Sequence, residues 1–411
     1  MKNRKLHQWV WKWHFIAGII SLPFVLILSV TGAIYLFHSD VQNEVVAKIQ
    51  TIKVSEKPPI SYQKQWEIAK KHMKQEPDAV LLNSNDEDAT PFTSGRFSHK
   101  KTLFINKYTG EVTGTFSPKD TWMHSIRKLH GELLGGSIGT KIVELIASWM
   151  VVLILSGLYI WSPFSKGIKG IFTIRLKEGK RVFYRDLHAI LGFWMSILLL
   201  LVLAGGFPWT DVFGANFKTL QQLTNTGYPK TWNGKGLFSK QNGEALVLEE
   251  MVWIAKNQKL KGEVTIGLPK NSKSTFSVSN KTFPLTEQKM LHFDQYSGDL
   301  IKAHNWSDVG FLMQGRMWLM AFHQGEFNGW NWWVMFFTAV ALTVMSLAGL
   351  LSYWYRKPQK KWGIPKAPKH FSVGYGIVLL ILILGLIFPL FGASLVIISM
   401  YSLKTKLTYK K

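Results

Sequence analysis

Four of the twelve histidines stand at matched places in the chain. His14 and His188 each open a long apolar run, and each is followed four residues later by a glycine, Gly18 or Gly192. The two runs reach Thr31-Gly32 and Gly205-Gly206 at the same offset. His130 and His323 each precede a further apolar run and lead into Gly131-Glu132 and Gln324-Gly325-Glu326. A neutral imidazole is the commonest protein ligand for a metal ion. Two such residues near one level of a helix bundle can offer a metal two nitrogens from different helices. The competing reading is an ordinary polar residue at a helix end, and HxxxG alone is a weak motif. Recurrence of the same residue in both halves favours ligation.

Other chemistries find little support. Cysteine is absent, which removes disulfides, thiol redox centres and Cys-ligated metals. No GxGxxG or GxxxxGK[ST] occurs. The Gly-rich stretch at 133–139 follows no strand.

The elements that must position the histidines are apolar. Of 411 residues, 47% are hydrophobic and 18% charged. The apolar residues form blocks at 15–37, 142–161, 189–209, 332–354 and 373–400, each near the roughly 20 residues that span a bilayer. The first is too long for a cleavable signal and has no small-x-small site after it. Lys+Arg exceed Asp+Glu by 49 to 25. Residues 1–13 and the loops 162–187 and 356–372 hold 17 basic and 2 acidic residues, whereas the long loops 38–139 and 210–331 hold 27 and 22. The positive-inside rule puts the N-terminus and both short loops in the cytoplasm and the long loops outside. The basic excess is then a topology signal, and nucleic acid is not an expected partner. His14 and His188 become an inner pair, and His130 and His323 an outer pair. Five spans leave the tail 401–411 outside, at odds with its Lys404, Lys406, Lys410 and Lys411. A hairpin in block 373–400 would need two spans of about 17 residues or more, so it does not fit.

The long loops also match one another. Residues 104–112 (FINKYTGEV) parallel 292–300 (HFDQYSGDL), each a strand running into a Gly-containing turn. A segment of helical spacing precedes each, at 62–73 and 246–257. The expected fold is therefore an α-helical membrane protein of about five transmembrane helices in a two-fold repeated layout. The expected order is 1–37 (start and first span), 38–139 (first outer domain), 140–161, the loop 162–187, 188–209, 210–331 (second outer domain), 332–355, the loop 356–372, 373–400 and the tail. The outer domains are small α+β units.

The stretches WKWHFIAG…TGAIYLF, LHGELLG…SGLYIW, RDLHAILGFW and FHQGEFNG…AGLLSYWYRKP resemble the PepSY-associated transmembrane family of iron-regulated bacterial membrane proteins. The two [IF]-x-x-Y-[TS]-G-[ED] turns resemble the signature of PepSY domains. The resemblance covers essentially residues 8–360. It implies a bacterial cytoplasmic-membrane protein linked to reduction of ferric siderophores, with two b-type haems held by transmembrane histidines. On that reading His14 and His188 are the axial iron ligands of an inner haem, and His130 and His323 those of an outer one. Gly18 and Gly192 would let a porphyrin lie against the backbone. Glu132 and Glu326 would hold the second imidazole nitrogen of the outer pair, and Arg185 inside, with Arg127 or Arg316 outside, would meet propionates. His38 and His124 are substitute outer ligands. His7 and His370 are read as solvated, and His72, His99, His292 and His304 as surface or local hydrogen-bonding residues. The short cytoplasmic loops hold no nicotinamide domain, so a cytoplasmic or quinol donor is needed, with a ferric chelate as acceptor. The rival expectations are a PepSY-type binding or regulatory protein, which leaves the matched histidines unexplained, and a transporter, which lacks a charged residue in mid-span.

Overall fold

The computed structural model describes residues 4–82, 85–161 and 172–408. Part of the basic loop 162–187, including Lys166 and Lys169, lies outside the described residues, as do Lys2, Lys410 and Lys411. The chain divides into two compact units, one of residues 1–36, 126–220 and 319–411, the other of 37–125 and 221–318.

Among the described residues of the first unit four helices are long and apolar enough to cross a membrane: α1 (Arg4–Tyr35), α5 (Gly136–Trp161), α6 (Lys180–Gly206) and α10 (Gly329–Arg356). They close a ring in which α1 packs on α5 and α10, and α6 on α5 and α10. The buried face of α1 is small and partly polar, with Ala17, Ser21, Val25, Ser29 and Thr31. That composition lets helices approach closely where lipid gives no hydrophobic drive to associate. Their hydroxyls are satisfied inside the bundle: Ser29 Oγ donates to Leu26 O (3.1 Å) and accepts from Thr343 Oγ1 (2.8 Å). Val25, Ile146 and Met150 fill one core cluster, and Ile154, Leu199 and Met345 another. Ile20, Ile197 and Phe337 stay exposed on the outside of the ring, the surface a lipid tail covers.

Glu144, buried within α5, accepts the backbone N–H groups of Val212 (2.8 Å) and Phe213 (3.0 Å). It thereby caps the first turn of α7 (Val212–Leu223), whose free amides and dipole favour an anion. A carboxylate near one end of a span is here structural.

The fifth apolar block is not one continuous helix. It breaks into α11 (Tyr375–Ile387, 13 residues) and α12 (Pro389–Thr408, 20 residues). Pro389 has no N–H to continue the ladder and drives Phe388 out of helical geometry (φ −114°, ψ 86°). The chain then folds back so tightly that a Cβ on Gly392 would lie 2.6 Å from Gly385 O. The hairpin excluded at the sequence level forms after all, because its arms need not cross. Its tip packs Phe391 on Trp149 (4.9 Å between rings) and Phe388 on Phe207 (4.7 Å). The end of α12 thus returns toward the level at which α11 starts.

The second unit departs from two separate domains. Its strands β1 (Ala79–Leu82), β2 (Thr90–Ser94), β3 (Lys101–Ile105), β4 (Val112–Phe116), β5 (Glu263–Gly267), β6 (Phe276–Lys281), β7 (Lys289–Phe293) and β8 (Leu300–Asn305) form one sheet in the order β4-β3-β2-β1-β5-β6-β7-β8. Every pairing is antiparallel, and the two four-stranded halves join where Val80 opposes Ile266. Each half uses the other's first strand to cover an edge that would otherwise stay open. Helices α3 (Tyr62–His72) and α8 (Leu248–Asn257) cover one face, so that Ala69, Phe92 and Leu103 share a core with Met251, Phe276 and Leu291. The 104–112 and 292–300 stretches form the same turn. Asn106 Oδ1 accepts from Tyr108 N (2.9 Å) and Asp294 Oδ1 from Tyr296 N (2.8 Å), and Gly110 and Gly298 take φ +78° and +77°. Positive φ without strain is the reason for glycine there.

Candidate functional site

His14 lies on α1 and His188 on α6, with ring centroids 6.5 Å apart. His130 ends α4 (Trp122–Glu132) and His323 ends α9 (Phe311–His323), with centroids 6.2 Å apart. The four sequence-nominated histidines therefore meet as two pairs, each taking one member from each half of the chain. All four are half-buried rather than sealed in the packing.

In every case Nδ1 is engaged by an oxygen. His188 Nδ1 lies 2.8 Å from Met345 O, His323 Nδ1 2.8 Å from Val202 O, and His130 Nδ1 3.0 Å from Leu28 O. A carbonyl only accepts, so in these three Nδ1 carries the proton and donates. His14 Nδ1 is 2.9 Å from Ser156 Oγ, whose own proton goes to Leu153 O (3.2 Å), so here too Nδ1 donates. The tautomer is thus fixed by a backbone carbonyl in three and by Ser156 in the fourth, and the lone pair is left on Nε2. A ligating histidine is held in this way when its remote nitrogen is tied down. The glutamates nominated for this role do not serve it: Glu132 pairs instead with Arg127 (3.5 Å) and Lys128 (3.9 Å).

Glycines make those contacts possible. Leu28, Val202 and Met345 stand four residues before Gly32, Gly206 and Gly349, and in a helix the side chain at that position flanks the carbonyl. A Cβ on Gly349 would lie 3.0 Å from His188 Nδ1, on Gly32 3.1 Å from His130 Cε1, and on Gly157 3.2 Å from His14 Cε1. On Gly205 it would lie 3.0 Å from His323 Cβ. These glycines were visible as matched positions, yet no role was read for them, because each serves a histidine on another helix. Gly18 and Gly192 do not touch an imidazole. Their added methyls would meet Leu153 (3.9 Å) and Met345 (3.4 Å), which is helix packing.

The two pairs sit at opposite ends of the same helices. His14 and the Leu28–Gly32 docking point are 14 to 18 residues apart on α1, as are His188 and Val202–Gly206 on α6. At 1.5 Å per residue that is an axial separation of about 21 to 27 Å.

A third pair looks similar but differs in its chemistry. His292 and His304, on β7 and β8, have ring centroids 6.2 Å apart. Both are buried rather than on the surface. Their Nε2 atoms are the engaged ones, with Trp232 O (3.1 Å) and Thr231 Oγ1 (2.9 Å), and the Trp232 ring covers His304 at 5.7 Å. They fasten the 231–232 loop to the sheet. Burial lowers the pKa of both; in His304 Lys302 lowers it further while Asp308 opposes, and His304 adds to the lowering of His292. A folded-state pKa below the usual 6.5 means that unfolding takes up protons. Stability is then complete above about pH 6.5 and falls as the pH drops below it. Thermal melts across pH 7.5 to 5 are expected to show that loss, with a flatter slope in His292→Gln; an unchanged slope contradicts it.

His38 begins α2 (His38–Gln50), with Nε2 3.3 Å from Ser39 Oγ, and both pairs are complete without it or His124. Of the nominated arginines, Arg185 is taken by Asp186 (2.9 Å) and Arg127 by Glu132, while Arg316 is buried beside Tyr228. Among the described residues no group of three or more His, Asp or Glu is placed to hold a metal ion. The histidines come only in twos.

No curated protein matches the chain. The family model for the PepSY-associated TM region matches residues 11–357, a stretch that holds all four histidines. The chain belongs to that family of membrane proteins.

Proposed function

We propose that the protein is a haem-containing electron-transfer protein of the bacterial cytoplasmic membrane. In this reading His14 and His188 hold one b-type haem and His130 and His323 a second. Electrons from a cytoplasmic or quinol donor reach a ferric siderophore or other ferric chelate outside. The observation that carries the reading is the facing of the imidazoles in two pairs. Two iron–nitrogen bonds of about 2 Å and two half-rings of about 1 Å sum to about 6 Å, which matches both centroid separations. Nε2 is the nitrogen left for iron in all four. A planar macrocycle supplies the other iron ligands itself, so two protein ligands per site suffice. Haem, when bound, supplies a one-electron iron couple. The protein's own residues fix the imidazole orientation through Leu28, Val202, Met345 and Ser156 and separate the two sites along the helices. Neither a binding protein nor a transporter gives these four histidines a task.

Protein purified after expression with ample haem is expected to show a Soret band and, on dithionite reduction, an α band, with two haems per chain. Absence of both bands sinks the proposal. Orientation follows the charge asymmetry: a reporter fused within 162–187 is expected to read cytoplasmic and one near Lys240 external. The opposite readings would invert donor and acceptor sides.

A further inference from the structure

Beside the His14–His188 pair lie two arginines that have no acidic partner among the described residues. Arg356 ends α10 seven residues after Gly349, and Arg181 lies on α6 seven residues before His188. Seven residues are two helical turns, so each arginine shares a helix stripe with a residue of the His188–Gly349 contact, about 10 Å along the axis. Between these levels Tyr184 stacks on Tyr355 with rings parallel to 1° and 5.9 Å apart, which ties α6 to α10. The Arg356 guanidinium is framed by three rings, with its carbon 5.6 Å from Trp11, 5.0 Å from Phe15 and 5.9 Å from Tyr353. Trp11 and Phe15 flank His14 on α1.

That frame orients the cation but takes none of its hydrogens. Nη2 of Arg356 is buried and has no hydrogen-bond partner among the described residues. Arg181 is near enough to act on it as a like charge. The acids of the adjacent segment are occupied elsewhere: Asp186 by Arg175 (2.8 Å) and Arg185 (2.9 Å), and Glu178 by Arg175 (3.0 Å). A buried donor without a partner beside a second cation is costly until an anion arrives. We propose that Arg356 and Arg181 form an anion site that receives the carboxylate groups of the macrocycle held by His14 and His188. The inference rests on the haem reading above. It replaces Arg185, which is already paired. A planar guanidinium and a carboxylate match in shape as well as charge. A phospholipid phosphate has the same chemistry, and the test separates the two.

The full chain, stripped of haem and held in nanodiscs of zwitterionic lipid, is titrated with haem b and with haem b dimethyl ester, whose carboxylates are masked. The wild type is expected to hold haem b at the His14–His188 site about tenfold more tightly than the ester, the effect of a charge-assisted hydrogen bond. R356Q combined with R181Q should abolish that preference and leave the His130–His323 site unchanged, so the second site reports that the variant is folded. R185Q should keep the preference, and R356K should keep part of it. An undiminished preference in the double variant overturns the proposal. So does a double variant whose only change is weaker binding of anionic phospholipid, read in parallel nanodiscs that contain it. If the wild type takes up neither form of haem, the haem reading itself fails; if it takes up both equally at that site, the arginine site alone fails.

Discussion

Alanine at His14 or at His188 is expected to remove the same haem and to leave the other in place. Alanine at His130 or His323 should do the converse. Each substitution takes away one of two protein ligands, so the reduced α band should fall by about half in all four variants. Transmembrane reduction of an external ferric chelate should fall to background in every case, because two sites in series fail when either is lost. The two classes differ in one respect. Variants of His14 or His188 keep a site that an external reductant still reaches, and variants of His130 or His323 do not. The geometry makes the grouping specific: His14 is 6.5 Å from His188, on another helix, and its own helix carries the docking point of His130 about 21 to 27 Å away. If His14→Ala and His130→Ala removed the same species, or if both haems survived all four changes, the pairing would be wrong.

The second large effect is expected from a residue that touches no iron. Gly349→Val would put a Cβ 3.0 Å from His188 Nδ1, with the valine methyls closer to the ring. Overpacking of a filled site costs about 1–3 kcal/mol. The bond from Nδ1 to Met345 O (2.8 Å) would be lost as well, and with it the restraint on the tautomer. Losing such an orienting partner weakens a metal ligand by about 10–100-fold. Haem occupancy at the His14–His188 site should drop by that order while the His130–His323 site is unchanged. Gly18→Ala is the control, since its methyl would meet only Leu153 at 3.9 Å. Titration with haem decides the matter. If Gly18→Ala proves the more damaging of the two, the glycines have been given each other's roles.

The histidines were legible because a side chain with few uses recurred at matched positions in two long apolar runs. Their pairing partners were legible as well, since charge asymmetry sorted them by end of the helix. The groups that hold them were not. Leu28, Val202 and Met345 act through carbonyl oxygens, which every residue has, so no letter marks them. Gly32, Gly157, Gly205 and Gly349 were visible as repeats, but a sequence displays neighbours along a helix, not across it. A role could be read for Gly18 and Gly192 because they stand at i+4 on the histidine's own helix. The same blindness explains the sheet. Residues 104–112 and 292–300 announce two similar turns, while nothing in the AVLL of β1 or the EVTIG of β5 says that these edges pair. Block 373–400 was misread for a different reason. Its hydropathy is that of a span, and only Pro389 with Gly385 and Gly392 carries the information that the chain doubles back.

The joining of β1 to β5 also orders events on the ribosome. Val80 must wait for Ile266, 186 residues later. At about 5–20 residues per second that delay is about 10 to 40 s. Two helices long enough to span a membrane, α5 and α6, are made in the interval. Throughout it the first four strands present a bare edge of the kind that recruits stray strands from other chains. The nascent chain therefore has a vulnerable period that the finished protein does not, one during which a holding chaperone has something to bind. Truncation anywhere between residues 117 and 262 would make that period permanent.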